Sequence, residues 1–202
     1  MSQVFLEYLK KQSGLTDSEL EQLQNCVPEK SVRKGEFLFR SGEVCRHTYF
    51  VEEGLLRFYS IDESGKDHIV QFAPENNFIS DRGSLYFGAV SDYFIDAIED
   101  ARVVLIDDAF VQKITDISPG FRMYNQRLMH NHVRHLQNRI NMLLGASAEA
   151  RYMEFIKQYP DLTFRVPQWM IASYLGITPE SLSRVRKELA RRNFKPANGT
   201  TK

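Results

Sequence analysis

The sequence predicts an α+β fold: an N-terminal antiparallel β-roll or jelly-roll barrel with flanking helices, then a long helix, then a C-terminal helix-turn-helix domain. Three observations predict it. Between residues 29 and 105, short runs rich in Phe, Tyr, Val and Ile recur, separated by Gly and polar turns. A stretch free of Gly and Pro then runs from Phe121 to Leu144 with a heptad spacing of apolar residues. Past Ser147 the chain turns basic and carries a small residue, a Gly turn and a helix cap in succession. At 202 residues, 43% hydrophobic and 12% aromatic, the chain has material for one full domain and a smaller one, which excludes disorder as its dominant state. The expected divisions are a sensor-sized domain over 1–118, the long helix over 119–145 and the helix-turn-helix domain over 146–202.

From Val4 to Gln24 the segment reads as helical, with Phe5, Leu6, Leu9, Leu20 and Leu23 as its apolar positions and Thr16-Asp17-Ser18-Glu19 as a capping box. The strand candidates are Phe37-Leu38-Phe39, Tyr49-Phe50-Val51, Leu55 to Tyr59, Ile69 to Phe72, Tyr93-Phe94-Ile95 and Val103-Val104-Leu105. Gly35, Gly42, Gly54 and Gly65 stand where tight turns need a positive φ or close backbone approach, and Asp62 to Lys66 reads as a hairpin loop. After Pro119-Gly120, residues Met129, Val133, Leu136, Ile140 and Leu143 recur at spacings of 4, 3, 4 and 3, a heptad seam. Such a helix spans roughly 40 Å at about 1.5 Å per residue, longer than a small domain needs for its own core. A parallel copy of the same helix is the economical partner, so a homodimer is expected. Gly145 ends this helix, and Ser147 caps another through Tyr152, Phe155 and Ile156 up to Pro160, a hinge between modules.

The most specific signal runs from Val166 to Leu189. Ala172 is small where two helices cross closely, Gly176 takes a left-handed turn, Ile177 plugs the core behind it, and Thr178 caps a second helix with Pro179 at its first position. Val185 and Leu189 supply the apolar face of that helix. Thr178, Glu180, Ser181, Ser183, Arg184 and Lys187 lie opposite, able to exchange hydrogen bonds with base edges and phosphates. Charge supports the same partner. Total Lys+Arg equals total Asp+Glu, yet residues 151–202 hold ten Lys/Arg against four Asp/Glu, a net of +6, leaving −6 on residues 1–150. A basic module on an acidic body points to a polyanion for the C-terminal part alone.

Two cysteines, Cys26 and Cys45, supply neither a disulfide framework nor a four-thiolate metal site and read as ordinary core or surface thiols of a reducing compartment. The N-terminus shows no signal-peptide pattern and no apolar run approaches about 18 residues, so a cytoplasmic protein without a membrane partner is expected.

With these elements in place, the chain resembles the Crp/Fnr superfamily of bacterial regulators, in which a cyclic-nucleotide-binding-type β-roll precedes a dimerisation helix and a helix-turn-helix. The resemblance runs from Lys34-Gly35-Glu36-Phe37-Leu38-Phe39 and Tyr49 to Gly54 in the roll to Thr178-Pro179-Glu180-Ser181-Leu182-Ser183-Arg184 in the recognition helix. It implies a dimer reading a two-fold symmetric site in double-stranded DNA, the recognition helix lying in the major groove. Glu180 would accept from a cytosine amine and Arg184 would face guanine or phosphate, with Gln168 at the start of the preceding helix among the DNA contacts. Pro179 replaces an Arg frequent in the family. RNA polymerase is a candidate protein partner and a small-molecule effector a candidate ligand. No cofactor is expected.

The roll departs from the family's nucleotide cassette. The register anchored on Ala97 aligns Phe78-Ile79-Ser80-Asp81 and Ser91-Asp92-Tyr93-Phe94 with it, so the phosphate-binding Arg is missing and Asp92 places negative charge where phosphate would lie. Setting a phosphate against an uncompensated carboxylate costs several kcal/mol. Asp81, Arg82, Ser91, Asp92 and Tyr93 are the candidate effector residues, Arg82 offering an anion site from another angle. An iron–sulfur sensor needs about four cysteines, and His130, His132 and His135, at i, i+2 and i+5, share no helix face for a metal. The alternatives are a cyclic-nucleotide-responsive regulator with an atypical pocket, a cupin-like metal enzyme using His47 and His68, and a module whose helix-turn-helix contacts protein. From Arg191 to Lys202 a basic, disordered tail is expected in place of a two-stranded wing. Calorimetry with cyclic AMP is expected to give no saturable heat at micromolar concentration; a micromolar Kd overturns this reading of the roll.

Overall fold

The strands form on runs of β-branched and aromatic residues, and those at Tyr49-Phe50-Val51 and Val103-Val104 are buried on both faces. The structure, a computed structural model, describes residues 2–23 and 26–193. It divides into two units, Met1–Arg134 and His135–Lys202.

In the first unit, α1 (Gln3–Ser13) and α2 (Asp17–Glu21) precede β1 (Glu29–Val32), β2 (Phe37–Phe39), β3 (Thr48–Glu53), β4 (Leu56–Ile61), β5 (Asp67–Ala73) and β6 (Phe78–Ile79). Next come α3 (Arg82–Phe87), β7 (Tyr93–Ala97), β8 (Ala101–Ile106), α4 (Asp108–Ile117) and the start of α5 (Pro119–Gly145). The helical segment expected over Val4–Gln24 is broken: Gly14 takes φ 69 at the end of α1, and the Thr16–Glu19 capping box starts α2. Gln24 lies outside the described residues. Two four-stranded sheets, ordered β1-β8-β3-β6 and β2-β7-β4-β5, pair antiparallel throughout. Val51, Leu56, Phe58, Ile79, Ile95 and Val103 fill the space they enclose. The Asp62–Lys66 hairpin is fastened by the Asp62 carboxylate, which accepts from the backbone N–H groups of Ser64 and Lys66.

A second core lies on the opposite face of the β3–β8 ladder. Phe50, Val104 and Ile106 project there and are covered by Phe5 and Leu9 of α1, Phe110 and Ile114 of α4, and Phe121 and Tyr124 of α5. Phe50 sits at its centre, with ring centroids 4.9 Å from Phe5, 4.7 Å from Tyr8 and 5.1 Å from Phe78. Burying each such ring is worth about 1.5–3 kcal/mol, with a further ~1 kcal/mol from favourable ring geometry. This core anchors the root of α5 to the roll.

The second unit holds the remainder of α5, then α6 (Ala148–Gln158), α7 (Leu162–Arg165), α8 (Gln168–Leu175) and α9 (Pro179–Asn193). Ser147 caps α6 as expected, its hydroxyl accepting from the Ala150 N–H at 3.2 Å. The expected tail lies outside the described residues from Phe194 onward, and Arg191, Arg192 and Asn193 are the end of α9.

The four roll glycines named above all have positive φ, and at Gly54 the demand is doubled. A Cβ there would lie 2.4 Å from the Asp100 carbonyl oxygen, at φ +89. Gly54→Ala is expected to cost at least about 2 kcal/mol, read as a lower urea midpoint in far-UV circular dichroism.

Candidate nucleic-acid interface and sensor site

The turn between α8 and α9 is built by three local devices. Gly176 adopts φ 64 and ψ 38, its N–H donating to the carbonyls of Ala172 and Ser173. The Ile177 N–H reaches the Ala172 carbonyl at 3.1 Å, which closes the C-terminus of α8. Thr178 then accepts the Ser181 N–H on its hydroxyl at 3.2 Å and opens α9 with Pro179 as first residue. Two arginines complete the arrangement. Arg151 Nη1 donates to the Leu175 carbonyl at 2.7 Å and Arg139 Nη2 to the Tyr174 carbonyl at 3.0 Å, satisfying carbonyls that the helix end leaves open. The Arg139 guanidinium also lies 3.7 Å from the centroid of the Tyr174 ring.

Ala172, Leu175, Leu182 and Val185 are buried, and Leu189 is half-buried. Leu182, in the middle of the recognition segment, is the deepest apolar anchor of α9. Ile177, expected as a core plug, is only half-buried because the chain is turning outward there. At 100° per residue, Leu182, Val185 and Leu189 define the inner face of α9, which leaves Glu180, Ser183, Arg184, Lys187 and Arg191 on the outer one. All five are exposed, as are Thr178 and Pro179, whereas Gln168 and Ser181 are half-buried. Among the described residues, Ser183, Arg184, Lys187 and Arg191 make no side-chain hydrogen bond or ion pair. Arg192, on the flank, is taken by Glu149 at 2.6 Å. The Thr178 hydroxyl, donating to Ser181 Oγ at 3.2 Å, is engaged in the cap. The Glu180 carboxyl is held below the usual range, first by its own backbone N–H and then by the Thr178 hydroxyl.

Along α5, the seam residues differ. Val133, Leu136, Ile140 and Leu143 are 48%, 37%, 57% and 40% exposed. Met129 is half-buried, its sulfur 2.6 Å from Arg82 Nη2.

In the roll, the five candidate effector residues are not assembled into one site. Asp81 and Ser91 meet: both are buried, and the Ser91 hydroxyl donates to Asp81 Oδ2 at 2.6 Å while Asp81 Oδ1 caps α3 through the Ser84 N–H. The Tyr93 N–H closes onto Ser91 Oγ at 3.0 Å, and the Tyr93 ring lies 4.6 Å from Phe58. Asp92 is exposed, and Arg82 bonds with Tyr86 and Met129 rather than facing Asp81. The carboxylate at this place is therefore a brace for the α3 turn, each of its oxygens already accepting a hydrogen bond.

Residues 29–117, which include both sheets, match the cyclic nucleotide-binding domain family. The anaerobic regulatory protein of Pasteurella multocida is 26% identical over 201 residues, covering 92% of this chain and 71% of the relative. The fumarate and nitrate reduction regulatory protein of Yersinia pestis is also 26% identical over 201 residues, covering 92% of this chain and 78% of the relative. The chain is similar over most of its length to regulatory proteins of the Crp/Fnr type. Its fold agrees with that of FixK2 from Bradyrhizobium japonicum at a TM-score of 0.69 and 23% identity, over 86% of this chain and 89% of that one. Among the described residues, no helix is long and apolar enough to cross a membrane.

Sequence reasoning missed Arg191 on the outer face of α9 and the paired role of Arg139 and Arg151. The first was legible by counting two turns on from Arg184; the second joins residues far apart in the chain and leaves no local pattern. Removing the α9 cap by Thr178→Ala is expected to cost about 1 kcal/mol, measured by urea unfolding followed through Trp169, the sole tryptophan, which sits in α8.

Proposed function

We propose that this chain is a Crp/Fnr-type transcription regulator, a cytoplasmic homodimer that reads a two-fold symmetric site in double-stranded DNA, without catalytic activity of its own. The observation that carries the reading is the outer face of α9. Ser183, Arg184, Lys187 and Arg191 stand exposed and unpaired among the described residues, while Leu182 and Val185 hold the helix down from behind. Two guanidiniums and an ammonium on one helix face supply donors for guanine edges and for phosphate oxygens. Glu180, fixed as a carboxylate at the helix start, supplies an acceptor for a cytosine amine.

The dimer reading rests on α5. Val133, Leu136, Ile140 and Leu143 form an exposed apolar stripe at heptad spacing, the pattern that a parallel copy covers by knobs-into-holes packing. A two-fold axis along α5 would set two α9 helices about one DNA turn, roughly 34 Å, apart. Cyclic AMP is not proposed as the effector, because the Asp81–Ser91 brace and the exposed Asp92 oppose a phosphate in the roll.

Selection of bound sequences from a random duplex pool is expected to return an inverted repeat. Arg184→Ala should weaken binding to it by about 1–3 kcal/mol, roughly 5- to 150-fold, and relax the preference at one base position per half-site. Enrichment of the same motif at equal affinity by the variant removes Arg184 from the interface, and no motif at all removes the sequence-specific reading. Ile140→Asp is expected to convert the dimer to a monomer in light scattering; an unchanged mass would place the dimer contact elsewhere.

A further inference from the structure

Where α1 crosses the start of α5, a cavity of about 60 Å³ opens beside α3. Its walls are apolar, with Leu9 of α1, Phe78 of β6, Phe110 of α4, and Phe121 and Leu128 of α5. Thr48, Arg82, Asn125 and the hydroxyl-bearing Tyr86 and Tyr124 also line it, and no Asp or Glu does so among the described residues. Among the described residues, the Arg82 guanidinium has only neutral company: the Tyr86 hydroxyl at 3.3 Å, the Met129 sulfur at 2.6 Å and the Tyr86 ring at 5.1 Å. The nearest acid in sequence, Asp81, is committed to Ser84 and Ser91. Among the described residues, Thr48 and Asn125 have no side-chain hydrogen-bond partner.

A half-buried arginine at the edge of an apolar cavity, with no counter-ion among the described residues, is one half of an ion pair. Partly desolvating a cation is unfavourable until an anion joins it, and a planar carboxylate matches the guanidinium fork with two parallel hydrogen bonds. The other half is thus a carboxylate carrying an apolar tail. The size of the cavity sets the length of the acid: at about 10–15 Å³ of this space per water-sized group, roughly four to six non-hydrogen atoms fit, carboxylate included. We propose that this cavity binds a short-chain monocarboxylate, propionate or butyrate, with its carboxylate on Arg82, Thr48 and Asn125 as neutral donors beside it, and its tail between Leu9, Phe110 and Leu128. The site lies on the opposite side of the β3–β8 ladder from the roll interior. It does not rest on the DNA-binding reading.

Isothermal titration of the full chain with sodium propionate and sodium butyrate tests it, with butyramide as the uncharged match and octanoate as the overlong one. Saturable one-site heat is expected for the two short acids, with butyramide and octanoate at least tenfold weaker. Arg82→Gln should weaken butyrate at least tenfold, and Leu128→Phe, which fills the cavity and leaves Arg82 in place, should abolish binding. Absence of saturable heat with both short acids, equal affinity for butyramide, or wild-type affinity in a folded Arg82→Gln chain overturns the proposal. Should Arg82→Gln lose its circular dichroism spectrum, butyrate binding retained by Leu128→Phe overturns it instead.

Discussion

A helix can bury only as much of its surface as neighbouring elements can reach, and α5 is 27 residues long. Its first turns are spent on the aromatic core around Phe50, where Phe121 and Tyr124 are nearly inaccessible to water. Beyond that core the same helix keeps an apolar stripe that a single chain leaves wet from Val133 to Leu143. Water contact over four aliphatic side chains is unfavourable by several kcal/mol in sum. The proposed dimer would resolve that cost: one end of α5 belongs to the roll, and a second copy would cover the remainder.

The end proposed to read DNA shows a different economy. A helix offered to DNA must expose polar and cationic groups and still keep a fixed orientation, so what holds it lies behind and at its ends. Leu182 and Val185 hold α9 from behind, Thr178 fixes its first turn, and Arg139 and Arg151 tie down the carbonyls at the end of α8. Two guanidiniums bonded to backbone oxygens at one helix end also place positive charge against the negative end of the α8 dipole. The outer residues of α9 remain free to meet a ligand because structural bonding is assigned to others.

Much of this was legible in the residues because the devices are local. Gly176, Thr178 and Pro179 specify the turn within three positions of one another, and the strand runs announce themselves by Tyr49-Phe50-Val51 or Val103-Val104-Leu105. Where the signal was weak, the physical cause is plain. β1 is Glu-Lys-Ser-Val and β6 only Phe-Ile, so neither carries an alternating apolar face long enough to read. The short helices α3 and α4 are set by Asp81 and Asp107 as caps, which a search for apolar periodicity passes over. The surroundings of Arg82 and the Arg139–Tyr174 contact depend on elements separated by tens of residues. No spacing rule encodes them.

Leu143 belongs to the exposed stripe, yet a side-chain methyl of the same residue lies 3.1 Å from where a Cβ of Gly176 would be. One leucine thus borders both the face offered to a second copy and the turn that aims α9. In a genetic screen for loss of regulation, changes at Leu143 would score as defects of assembly and of DNA reading at once, whereas Ile140 and Arg184 would sort into separate groups. The same adjacency limits how this seam can be re-engineered. A bulkier or charged residue chosen at Leu143 to alter pairing specificity would also press on the turn, so orthogonal pairs of this regulator are better built from Val133, Leu136 and Ile140.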